Sequence, residues 1–332
     1  MERLRPSAIT RPDIAAGAAV TSTHAPILVT GMPRSGTTWT AQMLAAGGGL
    51  VRVNEPLNPQ HPPGGFPGIL DAAVEHRFQY ICADNEAGFL RAYRDMRRYR
   101  YRLWPELRRN RSLHDVPRQL NHMRLFLDGR LTGKRLLVAD PYAVFSIPWF
   151  IERLGFRVVV VVRRPAATVS SRKRLGWRFD VAELERQPLL VRDVLDRLAI
   201  ETTVDAVGDP LIASGARLWS VIHRAIDHYR SRGLPIEVVR HEDLSSDPQE
   251  AFRDLYRRLG LEMTSRAARL IERSTAAGNP TEVRARDPHR VRLDSRANLD
   301  AWRTRLSSAE LDQIASLTGP IAGRFYDPDE LS

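Results

Sequence analysis

Residues 27–39 read Ile-Leu-Val-Thr-Gly-Met-Pro-Arg-Ser-Gly-Thr-Thr-Trp, an apolar run that meets two glycines five positions apart. The order predicts a buried strand, a tight loop and the start of a helix. Glycine allows the backbone to turn sharply, and the amides of Gly36, Thr37 and Thr38 would form the positive end of that helix. We therefore expect an anion to bind at this loop, although a glycine-rich helix start without a ligand is the alternative.

The loop has the Gly-x4-Gly spacing of a P-loop, in which a lysine follows the second glycine and contacts the β- and γ-phosphates. Here Thr37 occupies that position, and the only cation in the loop is Arg34. The valine run 158–162 ends in Arg163-Arg164, where an ATPase would have a carboxylate for Mg²⁺. The pattern predicts a phosphate cradle without a metal site.

Apolar runs and helical patterns alternate along the chain. Five consecutive valines, residues 158–162, are typical of a strand that is buried on both faces. Alternating strands and helices predict a parallel sheet. The expected fold is therefore α/β, a three-layer αβα sandwich similar to P-loop NTPases. The predicted strands cover residues 27–31, 50–53, 135–139, 157–162 and 236–239, and the predicted helices include 144–154, 216–232 and 248–259.

Length and composition predict one large domain. The 332 residues, 43% of them hydrophobic, can bury a substantial core over residues 26–332, after a loose tail at 1–25. Two helical excursions, about 69–130 and 178–210, should cover the site. No run approaches the roughly 18 apolar residues of a membrane span. The single cysteine, Cys82, suits a reducing compartment, so we expect a cytoplasmic protein.

The formal charge of +11 is concentrated in one stretch. The stretch from Arg91 to Arg111 contains nine arginines and only two acidic residues, Asp95 and Glu106, so its net charge is +7. Three interpretations are open: a solvated helix face, a site for an acidic acceptor, and a surface for lipid headgroups. The chain has no helix-turn-helix, zinc-finger or RNA-binding signature, so nucleic acid is not an expected partner.

Several motifs together resemble the sulfotransferases that use 3′-phosphoadenosine 5′-phosphosulfate (PAPS). Residues 33–39 resemble the 5′-phosphosulfate loop of that family, and Arg163 with Ser171, eight residues later, resembles its 3′-phosphate element. Weaker similarities occur in order along the chain, at Asp140-Pro141-Tyr142, Arg240-His241-Glu242-Asp243-Leu244, Asn298-Leu299-Asp300-Ala301-Trp302 and Phe325-Tyr326-Asp327-Pro328.

The resemblance implies a donor, a product and a set of binding residues. PAPS would be the sulfuryl donor and adenosine 3′,5′-bisphosphate (PAP) the product, with no metal. The acceptor would be a hydroxylated small molecule, carbohydrate or glycolipid, and the Arg91–Arg111 stretch favours an acidic or lipid-linked one. Trp39 would stack on adenine. The implied cofactor-binding residues are Arg34, Ser35, Gly36, Thr37, Thr38, Trp39, Arg163, Ser171, Ser295 and Arg296.

The candidate catalytic residues are Glu55 and Arg34. Glu55 follows the predicted strand 50–53 and lies 21 residues after Arg34, where the resemblance to the tyrosylprotein branch implies a glutamate general base. The histidine base of the aryl and steroid enzymes, in a Lys-Thr-His context, has no counterpart. His61, His114 and His122 are the alternative bases.

One cation of the tyrosylprotein branch is missing from this sequence. The lysine that precedes the Asp-Pro in that branch is replaced by Ala139. We expect the missing charge to come from Lys134, Arg135 or the arginines of the excursions that cover the site.

Two other functions remain open at this point. One is a catalytically idle nucleotide- or membrane-binding module that keeps the same fold. The other is a P-loop kinase, which Thr37 disfavours because it occupies the position of the lysine.

Overall fold

The computed structural model describes residues 24–59, 70, 72–109, 113, 116–202, 208–281 and 292–331. The tail predicted at 1–25 lies outside this part of the chain, except for its last two residues. His61 and His114 also lie outside it.

The elements alternate between strands and helices. The strands are β1 Ile27–Gly31, β2 Leu50–Asn54, β3 Arg135–Ala139, β4 Arg157–Val162 and β5 Ile236–Arg240. The helices are α1 Thr37–Ala45, α2 Ala87–Arg97, α3 Leu103–Arg109, α4 Val116–Thr132, α5 Ile147–Leu154, α6 Pro165–Arg174, α7 Pro188–Leu190, α8 Pro210–Ser231, α9 His241–Ser246, α10 Pro248–Arg258, α11 Ser265–Thr275, α12 Ser295–Leu299, α13 Ser308–Ala322 and α14 Pro328–Leu331. Short 3₁₀ helices cover Pro141–Ser146 and Val181–Arg186, and a π-helical turn, Val191–Leu195, follows α7.

The strands form one parallel sheet in the order β2-β3-β1-β4-β5. Strand β1 is central, and its residue Val29 is opposite Ala139 of β3 and Val159 of β4. The chain therefore builds one half of the sheet on one side of β1 and the other half on the opposite side. In open parallel sheets such a switch creates a crevice at the carboxyl ends of the strands, where ligands bind.

The residues of β4 show that the sheet is covered on both faces. Val158, Val160 and Val162 pack in one core with residues of α2, α5 and α8, while Val159 and Val161 pack in a second core with α1, α10 and α11. Successive strand residues point to opposite faces, and all five valines are at most 1% exposed. The predicted three-layer sandwich with a central parallel sheet is confirmed.

Helix α8 begins earlier than the sequence pattern predicted. It starts at Pro210 rather than near residue 216. The side chain of Asp209 accepts a hydrogen bond from the amide of Leu211 at 2.8 Å, and proline fits the first helical turn. The Asp-Pro pair is therefore the true start signal of this helix.

The two predicted excursions are helical, but only parts of them reach the carboxyl ends of the strands. Residues 69–130 contain α2, α3 and α4; α2 packs on α5, and α4 packs beside β2. Residues 178–210 contain the second 3₁₀ helix, α7 and the π-helical turn. Among the helices described, none combines the length and the apolar character needed to cross a membrane.

Candidate active site

Two glycines shape the loop between β1 and α1. Gly31 and Gly36 have φ angles of 147° and 103°. A Cβ on Gly31 would lie 2.3 Å from the carbonyl oxygen of Val161, and one on Gly36 would lie 2.7 Å from Nδ1 of His241. Both positions therefore require glycine. No side chain of the described chain caps α1, and the first amides of a helix have no acceptor within it, so an anion can bind them.

The other predicted loop residues differ in their surroundings. Ser35 is buried, its amide donates to the carbonyl of Met32 at 2.9 Å, and its hydroxyl has no hydrogen-bond partner among the described residues. Thr37 and Thr38 line a cavity described below. Trp39 is half-buried and meets the rings of His241 and Phe252 edge-on, at centroid distances of 5.5 and 5.3 Å. Its predicted stacking on adenine stays a prediction.

Arg34 connects the loop to α6. Its Nε donates to Oγ of Ser171 at 3.1 Å, and its guanidinium lies 5.6 Å from the ring centroid of Trp177. Burial, together with Arg163, Arg174 and Arg172, lowers the pKa of Arg34 to about 10, against the opposing effect of Glu55. Arg34 is therefore charged at neutral pH and lies among like charges, an arrangement that favours a bound polyanion.

Arg163 follows the last residue of β4 and reaches the same loop. Its Nη1 donates to the carbonyl of Arg34 at 3.2 Å, and its Nη2 donates to Oδ1 of Asn298 at 2.9 Å. Its buried Nε has no hydrogen-bond partner among the described residues. Burial lowers the pKa of Arg163. The carbonyl of Arg163 accepts from Nε1 of Trp219 at 2.9 Å, which fixes this strand end against α8.

The predicted pair Arg163 and Ser171 is thus brought together through Arg34. The predicted residues Ser295 and Arg296 instead attach α12 to α9. Ser295 donates to the carbonyl of Ser245 at 2.8 Å, and Nε of Arg296 donates to the carbonyl of Ser246 at 2.9 Å. Asn298, in the Asn298–Trp302 similarity, is the residue of α12 that contacts Arg163.

Glu55 follows β2 in a left-handed conformation, with a φ of 46°. Its amide donates to the carbonyl of Ala139 at 2.8 Å, which extends the pairing of β2 with β3 by one step. Its Oε2 accepts from Nδ2 of Asn58 at 2.8 Å. Non-glycine residues in this region cost roughly 1–3 kcal/mol and occur often at functional sites.

The buried carboxyl of Asp140 positions the turn that carries Glu55. Asp140 Oδ2 accepts from the amide of Leu57 at 2.6 Å, and Oδ1 accepts from the amide of Tyr142 at 2.9 Å. Burial raises the pKa of Asp140 well above its ordinary value. The resemblance at Asp140-Pro141-Tyr142 therefore corresponds to a positioning role.

The histidines near the site have distinct surroundings. His241 begins α9 at the end of β5, beside Gly36. Burial, with Arg163 and Arg34, lowers the pKa of His241 well below its ordinary value, so its imidazole is neutral at neutral pH. The alternative base His122 is buried on α4, where its Nδ1 lies 3.6 Å from Oε1 of Glu106. It does not line the cavity that contains Glu55.

Arg34 and Glu55 line one cavity of about 470 Å³. This volume suits a small-molecule ligand. Its walls come from the phosphate loop, the turn after β2, the first 3₁₀ helix and both excursions. The lining residues are Pro33, Arg34, Thr37, Thr38, Glu55, Asn58, Arg77, Phe78, Pro141, Tyr142, Arg172, Gly176, Trp177, Arg178, Phe179 and Leu218.

Two of the expected replacements for the cation absent at Ala139 do not reach the cavity. Lys134 pairs with Asp128 at 2.6 Å, and Arg135 donates to the carbonyls of Ala25 and Leu259. Both lie at the amino end of β3, whereas the cavity is at its carboxyl end. Among the arginines of the two excursions, Arg77 and Arg178 line the cavity, and none of the described arginines of 91–111 does. Arg172, on α6, does, and nothing in the sequence pattern had separated it from the adjacent basic residues.

Three solved sulfotransferases match most of this chain at low sequence identity. The match to the sulfotransferase domain from the curacin biosynthetic pathway covers 88% of this chain and 96% of that domain, at 16% identity and a TM-score of 0.46. The match to the sulfotransferase domain of the Synechococcus PCC 7002 olefin synthase covers 91% of this chain and 95% of that domain, at 18% identity and a TM-score of 0.46. Mouse sulfotransferase SULT7A1, solved in complex with PAP, gives 12% identity and a TM-score of 0.38, with 89% of this chain and 82% of that chain covered.

No curated protein matches the chain. The model of the sulfotransferase family matches residues 26–265. That range contains β1 to β5, the phosphate loop, Glu55, Arg163 and Ser171. The match therefore spans the whole sheet and most of the candidate site, and on it the chain belongs to the sulfotransferase family.

Proposed function

We propose that this protein transfers the sulfuryl group of PAPS to a hydroxyl of an acceptor and releases PAP. The observation that carries the proposal is the position of Arg34. Its side chain bonds Ser171, its carbonyl accepts from Arg163, and it lines the same cavity as Glu55. One residue thus links the candidate 5′-phosphosulfate loop, the candidate 3′-phosphate pair and the candidate base.

The donors of this site suit a nucleotide with two separate phosphate groups. The hydroxyl of Ser35 and Nε of Arg163 are enclosed and have no partner among the described residues. Each such group costs free energy until a ligand pairs with it. A guanidinium also matches the geometry of a phosphate better than an ammonium does. These features favour Arg163 and Ser171 for the 3′-phosphate and the loop for the 5′-phosphosulfate.

Each candidate residue has a distinct role in this reaction. PAPS, when bound, supplies the sulfuryl group and a phosphate leaving group. Glu55 accepts the proton of the acceptor hydroxyl. Arg34 and the amides at residues 36–38 stabilise the negative charge that develops on the leaving group. Arg163 and Ser171 hold the nucleotide in line with the acceptor. These residues supply the positive charge themselves, so the proposal includes no metal.

A P-loop kinase is disfavoured by the surroundings of Asp140. Asp140 ends a strand next to β1, where a kinase would place a carboxylate for Mg²⁺. Both of its oxygens already accept backbone amides, from Leu57 and Tyr142. Together with Thr37 in the lysine position, this arrangement disfavours a kinase.

The test compares thermal shifts with PAP and with ADP plus Mg²⁺, followed by a transfer assay with ³⁵S-labelled PAPS and a panel of hydroxylated acceptors. We expect stabilisation by PAP and little by ADP with Mg²⁺. Equal or greater stabilisation by ADP with Mg²⁺ would support a kinase. Tight PAP binding without transfer to any acceptor would support the idle nucleotide-binding module.

A further inference from the structure

The cavity contains a buried cation, Arg172, to which the proposed function gives no role. Arg172 lies on α6, directly after Ser171, and is only 4% exposed. Its Nε has no hydrogen-bond partner in the described chain, and no described carboxylate forms an ion pair with it. A buried charge without a partner is costly. The site is therefore built to receive an anion at Arg172.

Arg172 and Ser171 make different contacts, although they are adjacent in sequence. Successive residues of a helix are rotated by about 100°, and whereas Ser171 contacts Arg34, Arg172 lines the cavity beside Tyr142. Burial lowers the pKa of Arg172 to about 10, and Arg77 contributes to this shift. The guanidinium of Arg172 is therefore charged at neutral pH.

The neighbouring cation, Arg77, is already compensated. Its Nη2 pairs with Oε1 of Glu183 at 2.6 Å, and its guanidinium lies 4.5 Å from the ring centroid of Phe179. Arg172 has no such carboxylate. Of these two cavity arginines, Arg172 is thus the one that leaves positive charge uncompensated.

Tyr142 lines the cavity together with the candidate base and Arg172. Burial and then Glu55 and Asp140 raise the pKa of Tyr142 to about 12, against the opposing effect of Arg172 and Arg77. The hydroxyl of Tyr142 therefore interacts electrostatically with both Glu55 and Arg172. The remaining walls include Phe78, Trp177 and Phe179, which suit an aromatic or apolar body.

We propose that Arg172 binds the anionic group of the acceptor, so that the acceptor is a hydroxylated aromatic or apolar oxyanion whose hydroxyl reaches Glu55. This inference rests on the proposed function for the reaction, but the anion site itself can be tested by binding alone. The proposal rests on the uncompensated charge of Arg172 and on the aromatic walls of the cavity.

The test uses three carboxylate and amide pairs of increasing length: 4-hydroxybenzoate, 4-hydroxyphenylacetate and 3-(4-hydroxyphenyl)propanoate, each with its neutral amide. Each compound is titrated calorimetrically into the protein, with and without saturating PAP. We expect at least one carboxylate to bind about tenfold more tightly than its amide, a difference of about 1.4 kcal/mol. Arg172→Gln should abolish this preference, while Arg172→Lys should keep part of it.

Lys173→Gln is the matched control on the same helix, because Lys173 pairs with Glu310 outside the cavity. It should keep the full preference. Equal affinity within all three pairs would overturn the acceptor assignment, as would a preference that survives Arg172→Gln. Failure to bind PAP would instead count against the sulfotransferase proposal. It would leave the test of the anion site intact, because the acceptor titrations are also made without PAP.

A separate observation concerns the outer surface of α3 and α4. Large apolar side chains are exposed there, including Trp104 at 72%, Leu120 at 57% and Leu131 at 76%. The exposed apolar residues of α4, from Val116 to Leu131, are 4, 3, 4 and 4 positions apart, so they lie on one face of the helix. The exposed apolar residues are Leu103, Trp104, Leu107, Leu113, Val116, Leu120, Met123, Leu127 and Leu131.

Exposed arginines accompany this apolar stripe. Arg124 and Arg130 are exposed on α4, each next in sequence to a stripe residue, and Arg108 is exposed on α3. Further exposed arginines come from α2 and the segment after it, at Arg91, Arg94, Arg97, Arg98 and Arg100. A second copy of the chain would bring like charges together, whereas an anionic bilayer is complementary to both the charge and the apolar face.

We infer that α3 and α4 bind the surface of an anionic membrane, with the apolar stripe inserted at the headgroup level and Trp104 at the interface. The test is co-sedimentation with phosphatidylcholine vesicles, with and without phosphatidylglycerol. We expect binding only to the anionic vesicles. Leu120→Ser with Leu127→Ser should abolish it, and Arg124→Ser with Arg130→Ser should weaken it.

Arg253→Ser with Arg269→Ser is the matched charge control, because both arginines are exposed on α10 and α11. It should bind like the wild type. Binding to neither vesicle would overturn the inference. So would a dimer in light scattering that Leu120→Ser with Leu127→Ser dissociates, because the stripe would then be an interface between copies.

Discussion

Replacing Arg163 with alanine should separate the affinity for PAP from the affinity for adenosine 5′-phosphate. Loss of a charged hydrogen bond to the 3′-phosphate costs about 1.5–3 kcal/mol, which corresponds to about 13- to 160-fold in Kd. Adenosine 5′-phosphate has no 3′-phosphate and should not show this loss. The difference between the two ligands therefore isolates the 3′-phosphate contact.

The structure adds a smaller loss that both ligands share. Nη1 of Arg163 donates to the carbonyl of Arg34 and so supports the phosphate loop. One such hydrogen bond is worth about 1 kcal/mol, or about fivefold in Kd. We therefore expect adenosine 5′-phosphate to lose about fivefold, and PAP to lose that factor multiplied by the 3′-phosphate factor.

Calorimetric titration of both ligands, with a melting curve for each preparation, measures these losses. Arg240→Ala is the matched control, because Arg240 also ends a strand but pairs with Asp243 and Glu330. It should leave both affinities close to those of the wild type. Equal losses for PAP and adenosine 5′-phosphate in Arg163→Ala would refute the 3′-phosphate assignment.

Three further predictions concern catalysis and stability. Glu55→Gln should lower kcat by about 10²- to 10⁴-fold, the usual effect of removing a general base, with PAP affinity and melting temperature unchanged; near-wild-type turnover would exclude Glu55 as the base. Arg34→Ala should lower kcat more than it raises the KM for PAPS, because its charge acts mainly in the transition state; a change in KM alone would make it a binding residue. Burial lowers the pKa of His223 to about 3, so the folded state holds it neutral while the unfolded chain protonates it. The free energy of unfolding should therefore fall by about 1.4 kcal/mol per pH unit between about pH 6.5 and about pH 3 because of this residue. Urea unfolding at pH 7 and pH 5 should show a smaller fall for His223→Phe, and an equal fall would contradict the assignment.

The strands were predictable because their signal is local. A strand buried on both faces needs a continuous apolar run, and 158–162 has one. Arg34, Glu55 and Arg163 each follow a strand. Because the strands are parallel, their carboxyl ends meet at one edge of the sheet, and the three residues lie there together. The apolar period alone places the start of α8 near residue 216, because the Asp209-Pro210 cap is not part of that period.

The partners of the site residues could not be predicted, because they are distant in sequence. Arg34 contacts Ser171 across 137 positions, and Arg163 contacts Asn298 across 135. The prediction for Arg135 failed for the opposite reason. It is close to Ala139 in sequence, but a strand rises about 3.3 Å per residue, so four residues place it about 13 Å away at the wrong end of the sheet.

The left-handed backbone at Arg34 and Glu55, with φ angles of 83° and 46°, affects how this protein could be engineered. Glycine would relieve the strain at either position, so a library selected only for thermal stability should enrich glycine there. Each variant selected in this way would lose a candidate catalytic side chain. Stability gained at a strained active site commonly costs activity, so a thermostable variant should be sought with both positions held fixed.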